Sequence, residues 1–218
     1  MVNQLNLKEM ERRAFRSTYQ DGLWDIYIGG MVAGFAMLAG IPESDDFPLA
    51  RFGLYFVVTI LSCLVFWAGK RFITLPRLGQ AKFGAERRKR AHTLGIILAV
   101  IVGVQVVVVL LSAVLWARPE LAAGIDWLSG DKRATDLLVA SLGALFVGPS
   151  LALIAYFNDF PRGYYIAVIM SAAVFLMIWA DNSAYLLLAA AMILIPGVVL
   201  FIRFLRQHPR PPAEALNA

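Results

Sequence analysis

The sequence predicts an all-α fold, a polytopic membrane bundle of six transmembrane helices preceded by a short amphipathic interfacial helix, with both termini cytoplasmic. Three observations carry this. Apolar residues make up 60% of the 218, against about 45–50% in an average water-soluble domain. They gather into six runs, each near the roughly 20 residues needed to cross about 30 Å of hydrocarbon. And all but four of the 20 Lys and Arg residues fall on one side of those runs. The runs are long and almost uncharged. A helix satisfies its own backbone polar groups, so they read as helices rather than barrel strands.

The chain begins with a polar stretch, NQLNLKEMERRAFRSTYQ. Leu7, Met10 and Ala14 fall on one helical stripe, with Lys8, Arg12 and Arg16 elsewhere. That pattern fits a helix lying on the membrane interface, and residues 1–21 form the first segment. The transmembrane domain, 22–206, holds six predicted spans at 22–41, 49–69, 94–117, 134–157, 163–180 and 183–204. A polar tail, 207–218, closes the chain.

Charge sets the orientation. With six spans, the first segment, the second and fourth loops and the tail share a side. The opposite side carries Arg51, Arg118, Lys132 and Arg133 together with Glu43, Asp45, Asp46, Glu120, Asp126 and Asp131. Short loops rich in Lys and Arg stay in the cytoplasm. The net charge of +5 follows from that rule and faces anionic headgroups, so it does not call for nucleic acid.

Span one is rich in glycine, and Gly30 and Gly34 stand in G-x-x-x-G spacing. Small residues let a second helix approach closely, either within the bundle or on another copy. Span four carries Gly148-Pro149-Ser150 and span six carries Pro196-Gly197. Each proline removes a donor and crowds the carbonyl four residues earlier, so both helices should bend. Interrupted helices can frame a solute site at the midplane, and they can equally be ordinary kinks satisfied by a neighbouring side chain.

The loop after span two, RFITLPRLGQAKFGAERRKR, is dense in charge. Leu75-Pro76 disfavours simple continuation of the helix, and Gly79 and Gly84 mark turns. Arg77, Lys82, Phe83, Arg87 and Arg88 are candidates for holding an anionic lipid phosphate or a partner protein. The positive-inside rule alone would also account for their charge.

Two segments, ERRAFRSTYQDGLWDIYIGG and ITLPRLGQAKFGAERRKR, carry a resemblance. They resemble an uncharacterised prokaryotic membrane-protein family. Its members start with a basic helix, enter span one through a Gln-Asp-Gly-Leu-Trp-Asp-Ile-like stretch, and carry an Ile-Pro-Arg-x-Gly-x-x-Lys-Phe-Gly loop. The match covers about residues 11–30 and 73–90, and here Leu75 precedes the proline. The resemblance implies a shared topology in a prokaryotic inner membrane and two marked cytoplasmic motifs. It implies no activity.

Ionisable groups at membrane depth are functional candidates by default, and few are present. Asp21 and Asp25 lie one turn apart at the start of span one. Asp159 closes span four beside Arg162. Asp25 calls for a cation, from Arg77 or Arg162, either to fasten a loop or to frame a cytoplasm-facing site. Gln105 is a strongly polar side chain deep in span three. It serves as helix–helix glue or as a solute contact.

The exclusions are broader. His92 and His208 sit at polar ends and leave no paired haem ligands. No His, Cys or carboxylate set has metal-ligand spacing. Cys63 stands alone, so pairwise disulfide chemistry is out. There is no Gly-x-Ser-x-Gly elbow, HExxH or phosphate-binding glycine loop. The sequence therefore points to no catalytic residue, metal or cofactor. It points to a non-catalytic membrane component, a homo-oligomer or the subunit of a larger complex, in contact with anionic lipid. The alternative is a small transporter or channel for a weakly polar solute, built around spans four and six with Gln105, Pro149 and Pro196.

Overall fold

The computed structural model describes residues 19–40, 50–78, 85–118 and 132–209. Its described residues are helical, and six of the helices are long and apolar enough to cross a membrane. Most of the predicted interfacial helix, Lys82, Phe83, Gly79, Gly84 and the end of the tail lie outside the described residues.

Span one runs Leu23–Gly40. Span two runs Ala50–Ala68 and then changes helix type. Gly69–Thr74 is π-helical, and Leu75–Leu78 returns to α. The Leu75 N–H bonds the Lys70 carbonyl, five residues back. Pro76 therefore does not end the helix. The register shift falls one residue before the position that lacks a donor, where an uninterrupted α-helix would be crowded.

Span three, Ala85–Ala117, is 33 residues long and begins nine residues before its apolar run. At 1.5 Å per residue it extends about 50 Å, well beyond a hydrocarbon core of about 30 Å. Glu, Arg and Lys are good helix formers. The charged stretch through Arg90 continues the helix outside the hydrocarbon, where the apolar pattern alone gives no sign of it. Span four is Lys132–Phe157, span five Pro161–Trp179 and span six Ala184–Gln207.

Spans four and five end alike. Asp159 and Asp181 take left-handed backbone angles, φ 48° and 47°. Around Asp159, the Phe160 N–H reaches the Ala155 carbonyl and the Asp159 N–H reaches Tyr156. Around Asp181, the Asn182 N–H reaches Met177 and the Asp181 N–H reaches Ile178. Both are Schellman closures, which satisfy the last carbonyls of a helix. Asp tolerates the conformation better than most non-glycine residues. Pro161 then opens span five, where its missing N–H costs nothing.

The chain divides into two compact units that do not follow its sequence halves. In the first, span one packs against spans six and two. Its core is Leu23, Val32, Ala36, Leu186, Ala189, Ala190 and Ile193. In the second, span four packs along span five and also touches span three. Small residues allow the first of these contacts. A side chain at Gly163 would meet Ala155 at 2.6 Å, and one at Gly148 would meet Ser171 at 2.9 Å.

Candidate functional site

The polar chemistry of the first unit gathers where span one begins. Asp21 precedes the helix and is wholly buried, 0% exposed. Its Oδ1 accepts the Leu23 N–H at 3.3 Å, a local Asx-type turn that sets the start of the span. Its Oδ2 accepts the Lys70 Nζ at 2.7 Å and the Thr74 hydroxyl at 2.8 Å. Lys70 and Thr74 both lie on the π-helical segment, so the change in helix type and the carboxylate share one place. A buried charge is tolerated when it is paired and hydrogen-bonded, and Asp21 meets both conditions.

The chain reaches this position through Gly22, whose φ of +74° disfavours a side chain. A Cβ there would also collide with the Gly197 carbonyl and sit 2.9 Å from the Phe201 N. Gly197 answers from span six. A Cβ at Gly197 would lie 2.8 Å from the Asp25 Cβ and 3.0 Å from the Ile26 N. Gly197 therefore carries the contact surface for the entry to span one, and Pro196 beside it is exposed. Asp25, 4% exposed, is packed at this crossing.

An aromatic group flanks the ion pair. The Trp24 and Phe66 rings lie 4.7 Å apart, Tyr27 and Phe66 5.1 Å, and Tyr19 stacks on Trp24 at 5.6 Å. The Lys70 Nζ lies 5.9 Å from the Phe66 centroid. Aromatic side chains at a span end suit the membrane–water boundary.

The structure separates the candidates read from the sequence. Asp21 pairs with Lys70, a residue the charge pattern had marked only for orientation. Nε and Nη1 of Arg77 are buried without a hydrogen-bond partner. Asp159 caps span four, and Arg162 sets its guanidinium 5.5 Å from the Phe160 ring centroid. Gly30 lies against Ser62, and a Cβ at Gly34 would lie 3.3 Å from Val58, so this face meets span two. Gln105 is half-buried on span three, and Arg88 is exposed near that helix's start. Arg87 is helical in backbone.

Pro149 and Pro196 fall in different units. Beside Pro149, spans four and five line a groove of about 850 Å3 that includes Ala144, Gly148, Tyr164, Ser171 and Phe175. Two hydroxyls bond carbonyls of the helical turn before the proline. Ser150 donates to Phe146, and Ser171 donates to Ala144 at 3.0 Å.

No family model, curated protein or solved structure matches the chain. The residues and their packing are thus the basis for a functional reading. Sequence reasoning missed Lys70, Thr74 and Gly22. The glycine after Asp21 and the threonine four residues beyond Lys70 were the available signals. Neither identifies its partner without the fold.

Proposed function

We propose that the protein is a non-catalytic component of a prokaryotic cytoplasmic membrane, with both termini in the cytoplasm. It acts by packing against copies of itself or within a larger complex, and it holds anionic lipid through the basic cytoplasmic loop after span two. One observation carries this reading. Among the described residues, the buried polar side chains are Asp21, Asp25 and Thr74, all tied to the entry of span one or the π-segment beside it. The large side chains that are wholly buried elsewhere in the two cores are apolar, which suits packing better than passage of a polar solute. Spans two and three also turn large apolar side chains outward, among them Phe56, Leu61, Leu64, Val100 and Leu110. Hydrocarbon or a neighbouring helix would cover them.

Native mass spectrometry of protein released gently from its own membrane tests the proposal. An oligomer, a co-purifying subunit or a retained anionic lipid is expected. A bare monomer without lipid would sink it. That result would favour the second reading, a small transporter or channel for a weakly polar solute, whose supporting feature is the groove beside Pro149.

A further inference from the structure

The cations between spans two and three are not equivalent. Lys70 is engaged by Asp21. Nε and Nη1 of Arg77 are shielded from solvent. Arg88, Lys89 and Arg90 are exposed on regular helix, and no carboxylate among the described residues pairs with them. These three charges remain open to an external partner.

Helical spacing says what lies beneath them. The less exposed side of span three is Leu94, Ile97, Leu98, Ile101 and Gln105, and this helix touches span four. At about 100° per residue, Arg88 stands on the opposite side, and Lys89 stands next to it. Below them on that side come Gly95, Ile96, Ala99, Val102 and Val106, all exposed. Nothing lies within 4 Å of a Cβ built at Gly95 or at Gly103. From Gly95 to Val106 the helix rises about 16 Å, about half of a hydrocarbon core of roughly 30 Å. The face is therefore one leaflet deep and has two open cations at its head.

We infer that this face of span three seats an anionic phospholipid, with its phosphate on Arg88 and Lys89 and an acyl chain along Gly95–Val106. The inference rests on the proposed reading that the basic loop holds anionic lipid, and it names the residues and the surface. Charge complementarity selects the occupant. Cations just outside the apolar run meet headgroup phosphates, and their charge-assisted bonds to phosphate are strong ones. A second copy on this face would share the membrane orientation of the first. It would bring one basic turn against the other, and like charges in contact are costly. A soluble anion would answer the cations and leave the apolar face beneath them uncovered.

The test reconstitutes the full chain in phosphatidylcholine vesicles with a minor share of phosphatidylglycerol that carries a diazirine in its acyl chain. Labelled peptides are read by mass spectrometry after illumination. Label on Gly95–Val106 should exceed that from phosphatidylcholine carrying the same group by about tenfold or more, the effect of two surface cations on an anionic lipid. Arg88→Gln with Lys89→Gln should remove the preference, and Arg88→Lys with Lys89→Arg should keep it. An undiminished preference in the glutamine variant would overturn the seat. So would a crosslink joining two copies through this segment, or displacement of the label by inorganic phosphate at constant ionic strength. The seat also falls if phosphatidylglycerol is preferred at residues 70–77 instead and Arg71→Gln removes that preference, while the reading of the basic loop stands. If phosphatidylglycerol is preferred nowhere, both fall.

Discussion

The ammonium of Lys70 lies 2.7 Å from an oxygen of Asp21, 49 residues away in sequence, and the two side chains differ sharply in exposure, 21% against 0%. The carboxylate cannot reach water, whereas the lysine stem can swing its charge outward. The pair is therefore asymmetric. Asp21 depends on Lys70 more than Lys70 depends on Asp21. Thr74 and the Leu23 N–H complete the shell, so the entry of span one is tied to the π-segment of span two through one carboxylate.

That asymmetry sets an order among variants. Lys70→Met leaves a buried carboxylate without its cation and should cost about 3 kcal/mol. Asp21→Asn keeps one acceptor oxygen, for Thr74 or for the Leu23 N–H but not for both, and releases a lysine that can hydrate, so about 1–2 kcal/mol is expected. The double variant should be more stable than the sum of the two losses. Thermal midpoints in mild detergent check this. The assignment fails if Asp21→Asn proves the more damaging single change.

The glycines divide into crowded and open positions, and alanine should tell them apart. Gly197→Ala puts a methyl 2.8 Å from the Asp25 Cβ and 3.0 Å from a backbone nitrogen. Backbone cannot yield as a side-chain tip can, so a loss of about 1–3 kcal/mol is expected. Gly53 and Gly103 have nothing within 4 Å of the added carbon. Alanine at either should gain up to about 1 kcal/mol from helix propensity. Opposite signs in denaturation midpoints are the expected result, and a common sign would contradict the packing.

Much of the architecture was legible in the sequence because the bilayer imposes a coarse rule. The six long apolar runs could be read directly from composition. What escaped was set by partners far away in the chain. Lys70 looked like one more cation at a span end until the fold brought it to Asp21. Pro76 looked like a stop until the helix changed to π-type ahead of it. The start of span three was placed late because its charged turns are helical without being apolar. The backbone angle of Asp159 gives it a capping role that no spacing rule would isolate.

The hydroxyl of Ser171 bonds the Ala144 carbonyl across spans four and five at 3.0 Å. Interhelical hydrogen bonds of this kind contribute about 0.6 kcal/mol on average and up to about 1.7. Ser171→Ala should cost an amount in that range. Ser171→Leu should cost more, since the side chain already lies against Gly148. Equal midpoints for the two variants would show that the helices are not held at this approach.

Gly34 offers the sharpest test of where the glycine face of span one points. Its spacing from Gly30 suits a contact between two copies as well as one within the bundle. In the fold, a Cβ at Gly34 would lie 3.3 Å from Val58 Cγ1 and 3.5 Å from Thr59 Oγ1. Gly34→Leu must then force spans one and two apart, at a cost of about 1–3 kcal/mol or more. The expected outcome is a lower thermal midpoint and lower folded yield, with any folded fraction keeping the wild-type oligomeric mass. The contrary outcome, an unchanged midpoint with a dissociated oligomer, would mean that the face addresses another copy and that the packing of spans one and two is wrong.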